Sequence, residues 1–282
     1  MDETSVIAPS LDWRMSESYY MSIQLSLDGL SFCALDPVTN VYMALGAVPF
    51  SEPDRTFAKH EQYILCNDLF ARRFRKVLVS VESPAFSMIP NSLYDNERAA
   101  ALLSLTGIKV RPDDKVLRNN IELANATTLF SVPNFLYFFL KNQFKSVEIY
   151  HSTTPTLTAM LLKKRGDSAE CMLDVSICSD SMTVVAVRGN EILLCNRFYC
   201  KDNSDYVYML LYLMSQLNFD VKTTPISLSG NVNATDERVK LLMRFSRLVS
   251  FAQAPSYFTY GFEQVDNVHR FNTLFLMPLC VS

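Results

Sequence analysis

Hydrophobic and polar residues alternate along Met21-Ser-Ile-Gln-Leu-Ser-Leu, and residues 30–35 and 41–49 resume the alternation after Asp28-Gly29 and Asp36-Pro-Val-Thr-Asn. Period-two runs broken by such turn residues predict a three-stranded meander. Residues 61–74 then set Ile64, Leu65, Leu69 and Phe70 on one helical face, and Val77-Leu-Val-Ser-Val81 reads as a short buried strand. The same order returns later in the chain. Strands are predicted over 171–177, 182–187 and 191–199, a helix over 205–217, and a strand over 225–229. That helix is apolar enough to predict almost complete burial. A shift of 148 residues aligns the copies without a gap, setting Leu25-Ser26-Leu27-Asp28 on Leu173-Asp174-Val175-Ser176, Ser31 on Ser179 and Val77 on Pro225.

Each copy continues with α and β elements. In the first, residues 133–144 form a predicted helix with Ser131 as its cap, and a strand follows over 146–150. Thr154-Pro155 opens another helix that ends at Lys163-Lys-Arg-Gly166, with cations on the last carbonyls and glycine at the cap. In the second, a helix runs from Thr235 to about 245, followed by a strand over 248–252. The chain therefore divides into a flexible arm (1–17), a first domain (18–166) and a second (167–282). Residues 82–128 have no counterpart and form an insertion with a helix near 96–105.

Two successive β-β-β-α-β-α units, each opening with a hairpin that bears an acidic or hydroxyl residue at its bend, resemble the actin-like ATPase superfamily. This is a ribonuclease H-like α/β fold shared by actin, sugar kinases and bacterial pilus-assembly and cell-division relatives. More narrowly, Leu25-Ser-Leu-Asp-Gly-Leu-Ser-Phe resembles the opening of a family of bacterial proteins described only as having an actin-like ATPase fold. The resemblance covers residues 20–282. It implies two domains around a cleft, with the hairpins on the phosphates of a nucleotide and a glycine-containing turn on its adenosine.

Carried onto this sequence, Asp174 takes the place of the superfamily's phosphate-loop acid and Ser176 that of its glycine, with the hydroxyls of Ser179, Ser181 and Thr183 following. In the first hairpin Ser26 stands at the acid's place and Asp28 at the glycine's, with Gly29 and Ser31 next. The adenosine turn resembles Ile226-Ser-Leu-Ser-Gly230-Asn231. Asp28 and Asp174 would face a Mg2+ ion between them and the phosphates of Mg-ATP. The departures have physical weight. Ser176 adds a Cβ where glycine admits close backbone approach, and Asp28 adds negative charge. Two functions are therefore expected: a non-catalytic protein with a degenerate nucleotide site that acts through a protein partner, or a Mg-ATP-dependent ATPase or kinase.

Composition narrows the field further. Seven glycines in 282 residues, against about 20 at the usual frequency, leave little for phosphate-cradling loops. The motifs G-x-x-x-x-G-K-[ST], G-x-G-x-x-G and G-x-S-x-G are absent. A net charge of -3 supplies no field for nucleic acid, and the basic runs at residues 72–76 and 163–165 read as helix-end and solubility charges. Seven cysteines without C-x-x-C spacing read as free thiols of a cytoplasmic protein. No apolar run reaches the ~20 residues of a membrane span, which leaves peripheral membrane contact open. The aromatic stretches at 135–139 and 206–212 read as core, and the apolar run at 271–281 as buried or as a partner contact.

Overall fold

The computed structural model describes residues 4–52, 54, 56–105, 107, 110–163, 171–253, 256, 258–263 and 265–281. Its elements in chain order are β1 (Thr4–Ile7), β2 (Tyr20–Ser26), β3 (Gly29–Asp36), β4 (Val41–Pro49), α1 (Ala58–Cys66), β5 (Lys76–Val81), β6 (Phe86–Pro90), α2 (Ala99–Ser104), β7 (Asp114–Ile121), β8 (Ala126–Pro133), α3 (Asn134–Gln143), β9 (Val147–His151) and α4 (Thr153–Lys163). The second half adds β10 (Cys171–Ile177), β11 (Ser181–Arg188), β12 (Glu191–Tyr199), α5 (Asn203–Gln216), β13 (Ile226–Gly230), α6 (Glu237–Leu242), β14 (Val249–Phe251), β15 (Thr259–Tyr260) and α7 (Asn272–Leu276).

The strands form three sheets. The first has the order β1-β4-β3-β2-β5-β9, with β15 also on β4; the second runs β12-β11-β10-β13-β14; the third is β6-β8-β7. In both large sheets an antiparallel meander is extended by parallel strands that each follow a helix. Alternation decides which face is core. Met21, Ile23 and Leu25 of β2 bury against Ile64, Leu136 and Leu140, while Leu173, Val175 and Ile177 of β10 bury against Leu210, Met214 and Val239. The polar positions between them, Gln24, Ser26, Asp174 and Ser176, line the cavity between the halves. Helix α4 packs there too, with Leu157, Met160 and Leu161 against Val185 and Val187 of β11.

The duplication is real, but its register differs from the gapless alignment. Ser26 pairs with Gly29 around Leu27-Asp28, and the Cys178 N–H donates to the Ser181 carbonyl around Ser179-Asp180. Both ladders also carry an irregularity at the same place, between Ala34 and Leu35 and between Ala186 and Val187. The hairpins thus correspond at a shift of 152 residues (34 to 186), with Asp28 matched by Asp180 and Asp174 by Ser22. A period-two pattern is self-similar under any even shift, so the sequence could not tell 148 from 152.

Other expectations are corrected by packing. The segment read as a flexible arm supplies β1, antiparallel to β4, and a 3-10 turn at Trp13–Ser18 whose Trp13 ring meets Phe74 edge-on. The residues read as an insertion supply β6, β7 and α2 and the first residues of β8, which runs on to Pro133 and completes the third sheet. Helix α5 buries Tyr206, Val207, Leu210, Leu213 and Met214, yet Tyr208 is 68% exposed, because tyrosine keeps its hydroxyl in water. On α3 Leu136 and Leu140 are buried, whereas Phe135 and Phe138 lie exposed. Ser131 belongs to β8 and donates to Asp114, so it does not cap α3. The chain does not stay in its second half to the end. β15 pairs with β4, and Leu274, Phe275 and Met277 bury against Cys33, Leu35, Tyr42 and Leu78 of the first sheet. The helix end expected at Lys163 to Gly166 lies outside the described residues beyond Lys163. No described helix is long and apolar enough to cross a membrane.

Candidate functional site

The two hairpins come together at the cavity between the sheets. Of the residues singled out in sequence, Ser26, Asp28, Gly29, Ser31, Asp174, Ser176, Thr183, Gly230 and Asn231 line it. Ser179 and Ser181 do not. Ser179 Oγ donates to Asp28 Oδ1 at 3.1 Å, so the hairpin tips touch each other directly. Ser181 is fully buried under a side chain that sequence reasoning missed, Arg197 of β12.

Arg197 organises the junction. Its Nη1 lies 2.8 Å from Glu82 Oε1, and its Nε and Nη2 donate to Ser181 Oγ at 3.1 and 2.7 Å. Cys178 Sγ donates to the same Glu82 oxygen at 3.1 Å. Glu82 directly follows β5 of the first half and Arg197 belongs to the second half, so the pair ties the halves together. The pair is buried, with side chains 10% and 4% exposed. Burial, the largest single influence, opposes the Arg197 charge, but Glu82, Cys178, Tyr199 and Asp180 together outweigh it and raise its pKa above the ordinary value. Burial and then the Glu82 charge push the Cys178 thiol up, so it stays protonated.

Behind the first hairpin, His60 of α1 sends Nε2 to the carbonyls of Ser26 and Gly29 at 2.9 and 3.2 Å and Nδ1 to Asp54 at 3.2 Å. Burial pushes this imidazole below its usual range, against the pull of those acceptors. Burial also works to raise Asp54, but hydrogen bonds from Thr56 and Lys59 win and hold it at about 2. His151 is buried between Thr153 Oγ1 and the Ser83 carbonyl, and burial lowers it to about 4. It is a neutral core histidine. Gly230 closes β13 with φ +83°, and a Cβ there would collide with the backbone of Ile177, whose carbonyl accepts from Asn231 N at 2.7 Å. The turn read as an adenosine contact is thus also a close backbone crossing.

Three carboxylates line the cavity, those of Asp28, Glu82 and Asp174, with Arg270 from the C-terminal segment. The cavity measures about 150 Å³, below the roughly 300–1,000 Å³ usual for small-molecule sites. No group of three or more metal-binding side chains converges among the described residues. Asp174 is 6% exposed, and burial pushes it up to about 6 against a hydrogen bond from Ser227. Its folded pKa lies above its unfolded value, so its favourable contribution is complete below about pH 4 and lost as pH rises through 6. Asp174→Asn is therefore expected to stabilise the protein at pH 7.5 by about 3 kcal/mol. The gap should close at pH 4, as urea denaturation at the two pH values would measure; an Asn variant less stable than wild type at pH 7.5 would refute it.

The comparisons with known proteins agree with this architecture. Residues 8–249 match the family model described as "Protein of unknown function (DUF3822)". The chain belongs to the DUF3822 family. Among solved structures, the DUF3822 chain is similar to a Bacteroides thetaiotaomicron protein of unknown function with an actin-like ATPase fold, at TM-score 0.77 and 24% identity over 86% of this chain and 93% of that one. It is also similar to the structure of the PilM-PilN type IV pilus biogenesis complex, at TM-score 0.62 and 12% identity over 93% and 98% of the two chains. These likenesses show the fold: the DUF3822 chain has the actin-like ATPase fold. No curated protein matches it in sequence.

Proposed function

We propose that this protein is a non-catalytic member of the actin-like fold whose inter-domain cleft does not take a nucleoside triphosphate and which acts by binding a protein partner. The observation that carries this reading is the direct contact between the hairpin tips, Ser179 to Asp28, beside which Glu82 after β5 binds Cys178 and Arg197 of the second half. Phosphates would have to part those contacts and enter a cavity lined by carboxylates. The PilM-PilN complex is a precedent for a partner-bound protein of this fold. A surface suited to a partner lies away from the cleft, in a groove of about 600 Å³ between β7, α2 and α3. Lys115 and Lys141 stand over the Tyr137 ring there, and Arg118 over that of Tyr94.

The convergence of Asp28, Asp174, Gly230 and Asn231 on one cavity favours a second reading, a Mg-ATP enzyme. Thermal unfolding with millimolar Mg-ATP and Mg-ADP separates the two. The partner reading expects no change in Tm, and a rise of several degrees that disappears in Asp174→Ala would replace it by the enzyme. The same reading expects one host protein to be cross-linked by the wild type and lost in Lys115→Glu/Lys141→Glu; retention in that variant would move the partner off this groove.

A further inference from the structure

The basic run at residues 72–76 is divided by the fold. Arg75 lies over the Tyr20 ring, and Lys76 pairs with Glu148 at 2.9 Å. Arg72 has a different setting. It lines a cavity of about 260 Å³, away from the inter-domain cleft, together with residues of β1, β4, α1 and the turn at Trp13. Its Nη1 donates to the Trp13 carbonyl at 3.3 Å, and no carboxylate lies within ion-pair distance of it among the described residues. The other walls are aromatic and apolar. The Phe32 ring lies so close on Gly46 that a Cβ there would collide with it. Trp13, Tyr63 and Leu69 pack against the first core but are only partly buried, and Ile7 of β1 is 54% exposed. Asn67 is already engaged: its Oδ1 accepts from Leu69 N at 3.0 Å, and its Nδ2 donates to the Tyr63 hydroxyl at 3.2 Å. Arg72 is thus the only charged side chain that lines this cavity among the described residues. Partly covered rings gain by burial against a further ring, and a guanidinium without an acid suits a planar carboxylate through two parallel N–H bonds. A volume of about 260 Å³ has room for about ten heavy atoms.

From this arrangement we propose that the cavity binds an aromatic monocarboxylate of the size of benzoate or phenylacetate. Its ring lies among Trp13, Phe32 and Tyr63, and its carboxylate meets the Arg72 guanidinium. A neutral ring leaves Arg72 without an anion, a small anion leaves the aromatic walls wet, and an aromatic amine sets two cations together. The cavity is separate from the cleft and from the groove beside β7, so this site stands or falls independently of the function proposed above.

Trp13 is the only tryptophan of the chain, so tryptophan emission reports directly on this cavity. The test is titration of the full chain with benzoate, phenylacetate, benzyl alcohol, benzylamine and acetate, read by that emission. Benzoate or phenylacetate should give a saturable change with half-saturation below about 10 mM. Benzyl alcohol should bind about fivefold more weakly or worse, and benzylamine and acetate should give no saturable change. Arg72→Gln alters an exposed side chain and should leave the unliganded Tm within about 2 °C of wild type. It should weaken benzoate about fivefold or more. Three results would overturn the proposal: no saturable change with either aromatic acid, equal affinity for benzyl alcohol, benzylamine or acetate, or undiminished affinity in Arg72→Gln.

Discussion

Arg197→Ala should lower stability by about 3–5 kcal/mol, because it leaves the Glu82 carboxylate buried without its cation. The loss of Ser181's two donors works in the same direction. For a chain of this size that is a fall in Tm on the order of 10 °C. The double variant Glu82→Gln/Arg197→Met should be the milder of the two, since neither charge is then stranded. Chemical denaturation of both variants would check the order. A single variant within 1 kcal/mol of wild type would mean that water reaches Glu82 and that the pair does not fasten the halves.

Gly230→Ala should cost about 3 kcal/mol. The left-handed φ of +83° accounts for part of this. The remainder comes from a methyl group forced against the Ile177 backbone, which cannot swing aside as a side chain could. Gly107 also has positive φ, but a Cβ there meets nothing within 4 Å, so Gly107→Ala is the control and should cost about 1 kcal/mol or less. Equal losses at the two positions would show that the close crossing of β13 and β10 has no energetic weight.

The strands were the most legible part of the sequence. Residues 171–177 and 191–199 coincide with β10 and β12, because both are apolar-rich runs and Gly189-Asn190 marks the turn before β12. The repeat was visible, but its register was not. What fixes the register is the matching irregularity at Ala34 and Ala186, a backbone feature without a side-chain signature. The cavity was legible through Asp28 in the turn between β2 and β3 and Gly230 at the end of β13, and through Asp174 as an acid in the middle of the apolar strand β10. Glu82 and Arg197 were missed because their meaning exists only when residues far apart in sequence meet. A signal was present: Arg197 is a single cation in the otherwise uncharged run Ile192 to Tyr199, which calls for a buried anion. Tyr208 and Phe138 misled in the opposite sense, since aromatic content alone does not say which side of a helix faces inward.

The returning C-terminal segment also has a consequence in time. Tyr42 of β4 donates to the carbonyl of Phe275 across 233 residues of chain. At about 5–20 residues per second, a ribosome takes roughly 10 to 50 s to make the stretch between them. Throughout that interval the face of the first sheet around Cys33, Leu35, Tyr42 and Leu78 has no cover from α7. The nascent first half therefore carries a sticky apolar face from the moment its strands pair, and chaperones that hold such faces have their longest opportunity there.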